Sequence, residues 1–167
     1  PPIFQPFASS ERSIRWCAQE GVTAILPPLH PTLEHQLCEI YAEVSYRPLG
    51  EGMGVLRDIV IADTDDEARA IWHDSGYFCG HEWFEPFGFS KGLEDPKTGE
   101  PADLWSNGLA FVGTVDTVTR QVEHLLKRLP IRWVFAWMYN GLMAHDRLMK
   151  SIELFWTKVM PRVADLS

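Results

Sequence analysis

The last third of the chain places a helix, a strand and a second helix in immediate succession. Thr114 precedes apolar residues that recur at helical spacing as far as Pro130. Thr commonly caps the start of a helix, and Pro ends one. An almost unbroken apolar run, Ile131 to Met138, then predicts a strand covered on both faces. The closing helix has an apolar stripe made of Leu148, Ile152, Phe155 and Val159. The chain is therefore predicted to end on an α/β crossover.

The same alternation of strand and helix occurs three times earlier in the chain. The predicted strands are Ile3–Phe7, Val22–Leu26 and Val55–Ala62. Ser9 or Ser10 is placed to cap the helix after the first strand, and Thr64-x-x-Glu67 forms a capping box after the third. Alternation of this kind predicts parallel strands joined by right-handed crossovers. A (β/α)8 barrel needs eight such units, and this chain supplies four.

One long segment, Asp74 to Ala110, lacks a sustained period and is rich in Gly, Pro and aromatic residues. Loops of this length in a compact domain are usually lids, binding loops or disordered segments. The segment is too apolar for a solvated linker, because it contains Trp83, Phe84, Phe87, Phe89 and Trp105. It is predicted to be an insertion, at about 74–110, that covers the C-terminal ends of the strands.

Length and charge limit the classes of protein to which the chain can belong. With 167 residues and 46% apolar side chains, residues 1–167 are predicted to form one domain. The net charge of -8 gives no reason to bind nucleic acid or an anionic membrane. No apolar run approaches the roughly 20 residues of a membrane span.

The cysteines and the start of the chain suggest where the protein is found and how the chain arises. Cys17, Cys38 and Cys79 are odd in number and lack a metal or redox spacing, which favours reduced thiols in the cytoplasm. The chain begins Pro1-Pro2, directly at a strand. We therefore expect it to be a piece of a longer protein or a processed product.

The turn Ala8-Ser9-Ser10 is a candidate phosphate site. It leaves a strand and enters a helix, where free backbone N–H groups and the helix dipole suit an anion. The two hydroxyls would add donors. An ordinary Ser N-cap explains the same residues, and such caps are commonplace. From the residues alone both interpretations stay open.

Other polar groups have structural explanations, and no metal site is predicted. His30 and His35 are five residues apart and lack carboxylates at ligand positions, while Cys79-x-His81 would need further partners to bind zinc. Helix-end electrostatics explain a group of acidic side chains: Asp63, Asp65, Asp66 and Glu67. Asn140-Gly141 follows the last strand, and a functional loop and a turn forced by glycine explain it equally well.

Read together, several segments resemble the bacterial-luciferase-like flavin-dependent monooxygenases. That family commonly carries V-G-[ST]-x-[DE]-x-V, which is matched here by Val112, Gly113, Thr114, Asp116 and Val118. It also commonly ends in S-x-E-x-F-x-x-x-V-x-P, matched by Ser151, Glu153, Phe155, Val159 and Pro161. The first twenty-one residues resemble the family's fifth strand, turn and helix, and DIVIADTDDEAR resembles its seventh strand and helix start. The likeness covers nearly the whole chain.

The resemblance implies a fold and an activity. The fold is the C-terminal half, four βα units, of a TIM-type (β/α)8 barrel in the α/β class. The activity is a monooxygenase reaction, in which reduced FMN and O2 oxygenate a small organic substrate and a separate flavin reductase supplies the reduced flavin. The matching turn in relatives contributes to the flavin phosphate cradle, which assigns that role to Ala8, Ser9 and Ser10. No catalytic residue is assigned, because the resemblance implies that many catalytic contacts belong to the first four units.

Two alternatives accompany this interpretation. The same barrel family includes F420-dependent oxidoreductases, so F420 is the alternative cofactor. A half-barrel that binds flavin or oligomerises without catalysis is the other. Four parallel strands cut from a barrel would expose apolar side chains, expected at Ile3, Ile25, Ile59 and Trp133–Trp137. We therefore expect a homodimer or an association with the missing N-terminal half.

Overall fold

The computed structural model describes residues 1–77, 79–88, 90–139 and 141–164. Its strands are β1 (Phe4–Gln5), β2 (Thr23–Leu26), β3 (Met53–Ile61), β4 (Phe111–Gly113) and β5 (Trp133–Trp137). Its helices are α1 (Glu11–Glu20), α2 (Pro31–Ser45), α3 (Asp65–Trp72), α4 (Val115–Arg128), α5 (His145–Leu154) and α6 (Met160–Val163), with a π-helical turn (Phe155–Val159) between the last two. Strands and helices therefore alternate as the sequence predicts.

All of these strands pair in parallel around β3. β1 pairs with β2 and β2 with β3, while β5 pairs with β3 from Gly54 to Asp58. The short strand β4 pairs with the end of β3, at Ile59–Ile61. The α/β fold with a parallel sheet is confirmed. β4 was not predicted from the sequence, because three residues are too few to show a period of two.

Local signals set the helix ends where the sequence places them. Ser10 accepts a hydrogen bond from Ser13 N–H at the start of α1, and Gly21 ends that helix in the left-handed region at φ 68°. Thr114 caps α4, which stops before Pro130. The capping box before α3 is only half formed, because Thr64 accepts from Glu67 N–H while the Glu67 carboxylate pairs with Arg147.

The outer face of the sheet carries the main core. Alternation along β3 sends Met53, Val55, Ile59 and Ile61 to the side on which the helices pack. These residues join Ile14 and Cys17 of α1, Leu37 and Tyr41 of α2, and Val118, Val122 and Leu125 of α4. A smaller cluster joins α3 to β3 and β4 through Val60, Ala68, Trp72 and Val112.

The inner face, which is concave, is lined by aromatic side chains of β1 and β5. The Phe4 ring lies 5.3 Å from both the Trp133 and Phe135 rings, so β1 and β5 approach each other across the face. Trp133 is 39% and Phe135 37% exposed. The prediction that the last strand is covered on both faces is therefore wrong.

Exposure elsewhere on the sheet differs from the sequence-based expectation. Ile3 is exposed as predicted, at 66%. Ile59 is buried, because it points to the helix side. Ile25 is buried against the inner face, where Gly54 makes room: a Cβ there would lie 2.7 Å from Ile25 Cδ1. With these two side chains buried, the predicted large apolar residues that remain exposed are Ile3, beside β1, and Trp133 and Phe135 of β5.

The predicted insertion is more regular than expected. It begins inside a π-helical turn at His73–Tyr77 and contains further π-helical and 3-10 turns at Cys79–Phe84, Glu85–Phe87 and Ser90–Leu93, followed by an isolated bridge between Glu94 and Pro101. Each turn is too short to produce a hydrophobic period. Within the described ranges, no helix is long and apolar enough to cross a membrane.

Candidate functional site

The Ala8-Ser9-Ser10 turn connects β1 to α1 at the C-terminal edge of the sheet. Ala8 is buried, and its N–H donates to the Ile25 carbonyl at 3.1 Å. The preceding Phe7 adopts a positive φ of 53°, which is uncommon for a residue with a side chain. The turn is thus fixed to β2 by a backbone bond.

The two serines of this turn have different roles. Ser10 Oγ accepts from Ser13 N–H at 3.2 Å and lies 2.9 Å from Ser13 Oγ, so it is used in the cap of α1. Ser9 is exposed, and no hydrogen bond to its hydroxyl occurs within the part of the chain that is described. A bound phosphate would therefore meet the Ser9 hydroxyl more readily than that of Ser10. The phosphate role of Ala8, Ser9 and Ser10 stays a prediction.

A cleft of about 360 Å³ begins beside Ser9. Its lining comes from the turns after β1 and β2, from the first turn of α2, and from the insertion: Phe7, Ser9, Pro27, Leu29, Leu33, Phe84, Phe87, Gly88 and Gly92. Clefts of a few hundred Å³ with a mainly apolar lining are typical small-molecule sites. We call it the Ser9 cleft.

The insertion is held over this edge of the sheet by specific contacts. His30 N–H donates to the Gly92 carbonyl at 2.7 Å, and His30 Nε2 lies 3.7 Å from Asp95 Oδ2. A Cβ on Gly92 would lie 2.7 Å from Leu29 Cδ2, so only glycine allows this approach without a shift. The contacts place the insertion against the β2–α2 turn, as a covering segment would be.

Aromatic stacking extends the contact to the other end of the sheet. The Phe84 ring lies 5.8 Å from Phe7 and 6.1 Å from Trp137. Phe7 and Trp137 in turn lie 6.4 Å apart. The insertion therefore bridges the turn after β1 and the end of β5. Such pairs each add about 0.5–1.5 kcal/mol beyond burial.

Asp58 is a carboxylate on the inner face that the sequence analysis did not select. Its Oδ2 accepts from Trp72 Nε1 at 2.8 Å. Burial raises the pKa of Asp58, and the Trp72 hydrogen bond opposes that shift. Gly76 packs closely on this pair, since a Cβ there would lie 2.7 Å from Trp72 Nε1. The signal in the sequence was an acidic residue within an apolar strand.

A buried cluster of charges lies on the opposite face and was also missed. Arg57 Nη2 donates to Glu34 Oε1 at 2.6 Å, and Arg128 Nη2 donates to Glu34 Oε2 at 2.7 Å. Arg57 Nε also donates to the Gly108 carbonyl at 2.7 Å. Arg57 and Glu34 are both fully buried. The cluster joins β3, α2, α4 and the end of the insertion, so its role is structural.

Cys17 and Cys38 are not placed for nucleophilic chemistry. Cys17 and Cys38 are buried free thiols. Burial, reinforced by Glu34, raises the pKa of Cys38 to about 12, so the reactive thiolate is scarce at neutral pH. The side chains of Cys79 and His81 lie outside the described residues.

Asp63, before α3, and Asp65, its first residue, contact other helices. Asp65 accepts from Thr114 N–H at 2.7 Å and from Thr117 Oγ1 at 3.0 Å, linking the starts of α3 and α4. Asp63 pairs with Lys150 of α5 at 2.7 Å. Their structural interpretation is supported. In the described ranges, no three His, Cys, Asp or Glu side chains gather as metal ligands would. Asn140 and Phe89 lie outside those ranges.

Comparison with known proteins identifies solved structures that share this fold. No protein-family model and no curated protein matches the sequence. Solved structures do match. Monooxygenase RslO1 from Streptomyces bottropensis superposes with a TM-score of 0.74 at 16% identity, over 96% of this chain and 48% of that one. The oxygenating constituent of 3,6-diketocamphane monooxygenase from Pseudomonas putida, in complex with FMN, gives 0.66 at 21% identity, with 96% and 48% covered.

A third match uses a different cofactor. The coenzyme F420 dependent tetrahydromethanopterin reductase from Methanopyrus kandleri gives a TM-score of 0.56 at 16% identity, over 96% of this chain and 50% of that one. These matches define the fold as about half of a luciferase-like (β/α)8 barrel, which confirms the predicted fold class. The chain spans about half the length of the solved structures that it matches.

Proposed function

We propose that this chain is part of a flavin-dependent monooxygenase that uses reduced FMN and O2 to oxygenate a small organic molecule. One observation carries the proposal: the chain superposes over 96% of its length on half of a monooxygenase barrel, at a TM-score of 0.74. The Ser9 cleft and the insertion lie at the C-terminal edge of the sheet, where barrel enzymes carry their active sites. The Ser9 hydroxyl and the backbone N–H groups at the start of α1, which lie at this edge, support the proposal.

The residues at the edge are compatible with FMN. The start of α1 offers the Ser9 hydroxyl and first-turn backbone N–H groups to a phosphate, while Phe7 and Phe84 offer aromatic walls. Reduced flavin, when bound, supplies the electrons that activate O2. The protein's part is to bind the cofactor, orient the substrate and exclude water. A flavin reductase would be the partner that delivers reduced FMN.

Titration with two flavins tests the phosphate cradle. FMN and riboflavin share the ring system, but riboflavin lacks the phosphate. Ser9→Ala should weaken FMN binding by about tenfold or more, because a hydrogen bond to a charged group contributes about 1.5–3 kcal/mol. It should leave riboflavin binding unchanged. Quenching of flavin fluorescence measures both affinities.

Ser10→Ala is the matched control for this titration. It removes the α1 cap and should lower the free energy of unfolding by about 1 kcal/mol. Its effect on FMN affinity should be smaller than that of Ser9→Ala. Equal losses for FMN and riboflavin in Ser9→Ala, or no loss for either, would count against the cradle.

An F420-dependent oxidoreductase is the second candidate, because a solved F420-dependent reductase shares the fold at a TM-score of 0.56. Parallel titrations with FMN and F420 separate the two candidates. Tighter binding of F420, without oxygen uptake in the presence of reduced FMN, would favour the reductase. Binding of either flavin without any turnover would favour a non-catalytic flavin-binding half-barrel.

A further inference from the structure

We propose that Asp58 contacts a ligand on the inner face and donates a hydrogen bond, from its free carboxyl oxygen, to an uncharged acceptor such as a carbonyl oxygen. This role rests on the proposed function, because barrel enzymes carry out their chemistry at the C-terminal edge of the sheet. Asp58 pairs in register with Trp137, the last residue of β5, and so lies at that edge. It would select the ligand by one polar group.

Asp58 is isolated among the side chains of the sheet. The five described strands contain only two ionisable residues, Arg57 and Asp58. The Arg57 side chain lies on the helix side with Glu34, so alternation sends Asp58 to the inner face. Its neighbour there is Trp137, whose ring lies 6.1 Å from that of Phe84. Among the described strand side chains, Asp58 is therefore the one acidic group that a ligand on this face can meet.

The two carboxyl oxygens of Asp58 differ in their partners. Oδ2 accepts a hydrogen bond from Trp72 Nε1 at 2.8 Å. Oδ1 accepts no hydrogen bond from the residues that the structure describes. The side chain is only partly buried, so this second oxygen is open to the inner face. Oδ1 is therefore the atom that would meet a ligand.

The carboxyl group is held in place before any ligand binds. The Trp72 ring packs edge-on against Trp105, with the ring centres 5.0 Å apart. A Cβ on Gly76 would lie 2.7 Å from Trp72 Nε1 and 3.2 Å from Asp58 Oδ2, so a larger residue would force the pair to shift. A group that is already oriented loses little freedom when it binds.

The surroundings of Asp58 favour the protonated acid, which is the form that donates. Burial raises the pKa of Asp58, while the Trp72 hydrogen bond and the charge of Arg57 oppose that shift. Arg57 acts across the sheet, because its guanidinium is bonded to Glu34 at 2.6 Å on the other face. The strands therefore offer an anionic ligand no cation on the inner face.

Other titratable groups near Trp72 are turned to other partners or to solvent. The Arg69 guanidinium lies over the Trp105 ring, at 5.7 Å from its centre. The side chains of His73 and Asp74, in the turn that follows α3, are 70% and 84% exposed. A pH dependence of ligand binding on the inner face would therefore come from Asp58.

Two ligands of the same shape test this role. Cyclohexanone carries a carbonyl oxygen, and methylenecyclohexane has a CH2 group in its place. Ligand-observed NMR titration of the full chain, in the particle that it forms in solution, gives both affinities. The ratio of the ketone affinity to the alkene affinity should fall about threefold or more as pH rises from about 4 to about 8, because ionisation removes the donor.

Asp58→Asn and Asp58→Leu separate hydrogen-bond donation from a structural role. Asparagine can still accept from Trp72 and carries N–H groups at every pH, so the ratio should stay high and become independent of pH. Leucine has neither group, and the ratio should fall about threefold or more at a pH of about 5. Asp74→Asn is the control and should keep the wild-type ratio and pH profile, because that side chain is 84% exposed. If Asp58→Leu fails to fold, the pH profiles of wild type and Asp58→Asn decide.

Infrared difference spectra give a second measurement. Subtracting the spectrum of Asp58→Asn from that of the wild type isolates the C=O stretching band of the protonated Asp58 carboxyl group. Cyclohexanone should move this band to lower frequency, and methylenecyclohexane should not. A carboxyl group that only holds Trp72 would leave the band in place with both ligands.

The outcomes keep this role apart from the proposed function. A ratio that is independent of pH in the wild type, a ratio that rises with pH, or no binding of cyclohexanone overturns the role of Asp58. If flavin binds and is turned over while the ratio ignores Asp58→Leu, the proposed function stands and the Asp58 contact fails. If the ratio behaves as expected but neither FMN nor F420 binds, the Asp58 contact stands and the proposed function fails.

Discussion

At the scale of residues, Glu34 holds the greatest concentration of buried charge in the described structure. Its carboxylate accepts from both Arg57 and Arg128, at 2.6 and 2.7 Å. Burial lowers the pKa of Arg57, and the Glu34 carboxylate opposes that shift. The buried positive charges of Arg57 and Arg128 are compensated only while the Glu34 carboxylate is present.

Glu34→Gln should therefore destabilise the fold strongly. It leaves two guanidinium groups near one another without a counter-charge, and breaking a buried ion pair typically costs about 3–5 kcal/mol. Urea unfolding gives the free energy of unfolding. Glu43→Gln, on the exposed face of the same helix, should change it by less than about 0.5 kcal/mol. Equal effects from both variants would contradict the role of the cluster.

Asp65 predicts a dependence of stability on pH. Its pKa is lowered, chiefly because Thr114 N–H donates to the carboxylate. A lowered pKa stabilises the fold above the unfolded value of about 3.9, and this contribution disappears as pH falls through the folded pKa. Asp65→Asn should cost about 1 kcal/mol at pH 7.

The measurement is the free energy of unfolding of wild type and Asp65→Asn at pH values from about 6 to below 3. The difference between them should shrink as the carboxylate is protonated. Asp66→Asn, an exposed neighbour in the same helical turn, is the control and should show no such trend. A difference that stays constant with pH would rule out linkage through Asp65.

Contacts between residues close in the sequence could be predicted from it, and contacts between distant residues could not. The caps at Ser10, Thr64 and Thr114 depend on atoms three residues away, so they can be predicted from the sequence. The Glu34–Arg57 pair joins positions 23 residues apart, and Arg128 is 94 residues from Glu34. Such a meeting is set by packing and leaves no local pattern. The Ser9 cleft was missed for the same reason, although Ser9 itself was selected.

At the scale of elements, the insertion combines predicted and unpredicted features. Its aromatic composition predicted a covering segment, and Phe84 packs on Phe7 and Trp137. Its turns could not be predicted, since helical pieces of three to six residues are too short to create periodicity. That it acts as a lid in catalysis stays a prediction.

Replacing 83–89 by a short Gly-Ser linker tests the lid in an assembled, flavin-loaded barrel. A covering segment keeps water from the reaction of reduced flavin with O2. Removing it should raise the hydrogen peroxide released per reduced flavin while substrate is present. Lys97→Ala, in the exposed turn at 95–99, is the control. A peroxide yield equal to that of the intact protein counts against the lid.

At the scale of the whole molecule, the exposed aromatic side chains of the inner face are what half of a barrel is expected to show. Trp133 and Phe135 remain more than one third exposed, although they pack against Phe4. Each large side chain that is left exposed forfeits roughly 1.5–3 kcal/mol of burial. Among the described strands, β1 pairs with β2 alone and β5 with β3 alone, so each also presents a sheet edge that can pair with a further strand.

This surface supports the proposal that the chain associates, either with a second copy or with the other half of the barrel. The double variant Trp133→Lys with Phe135→Lys would place two charges on the inner face and should abolish association. Trp16→Lys is the matched control, because Trp16 is 48% exposed on the outer side of α1. This variant should leave association intact.

The mass of the particle in solution tests most directly whether these residues form half of a barrel. Light scattering after size exclusion, combined with intact-mass analysis, should find two copies or one copy with a companion of similar size. Trp133→Lys with Phe135→Lys should reduce the particle to one copy. A stable wild-type particle of one copy, monodisperse and unfolding cooperatively, would contradict the half-barrel account and require a self-contained α/β fold.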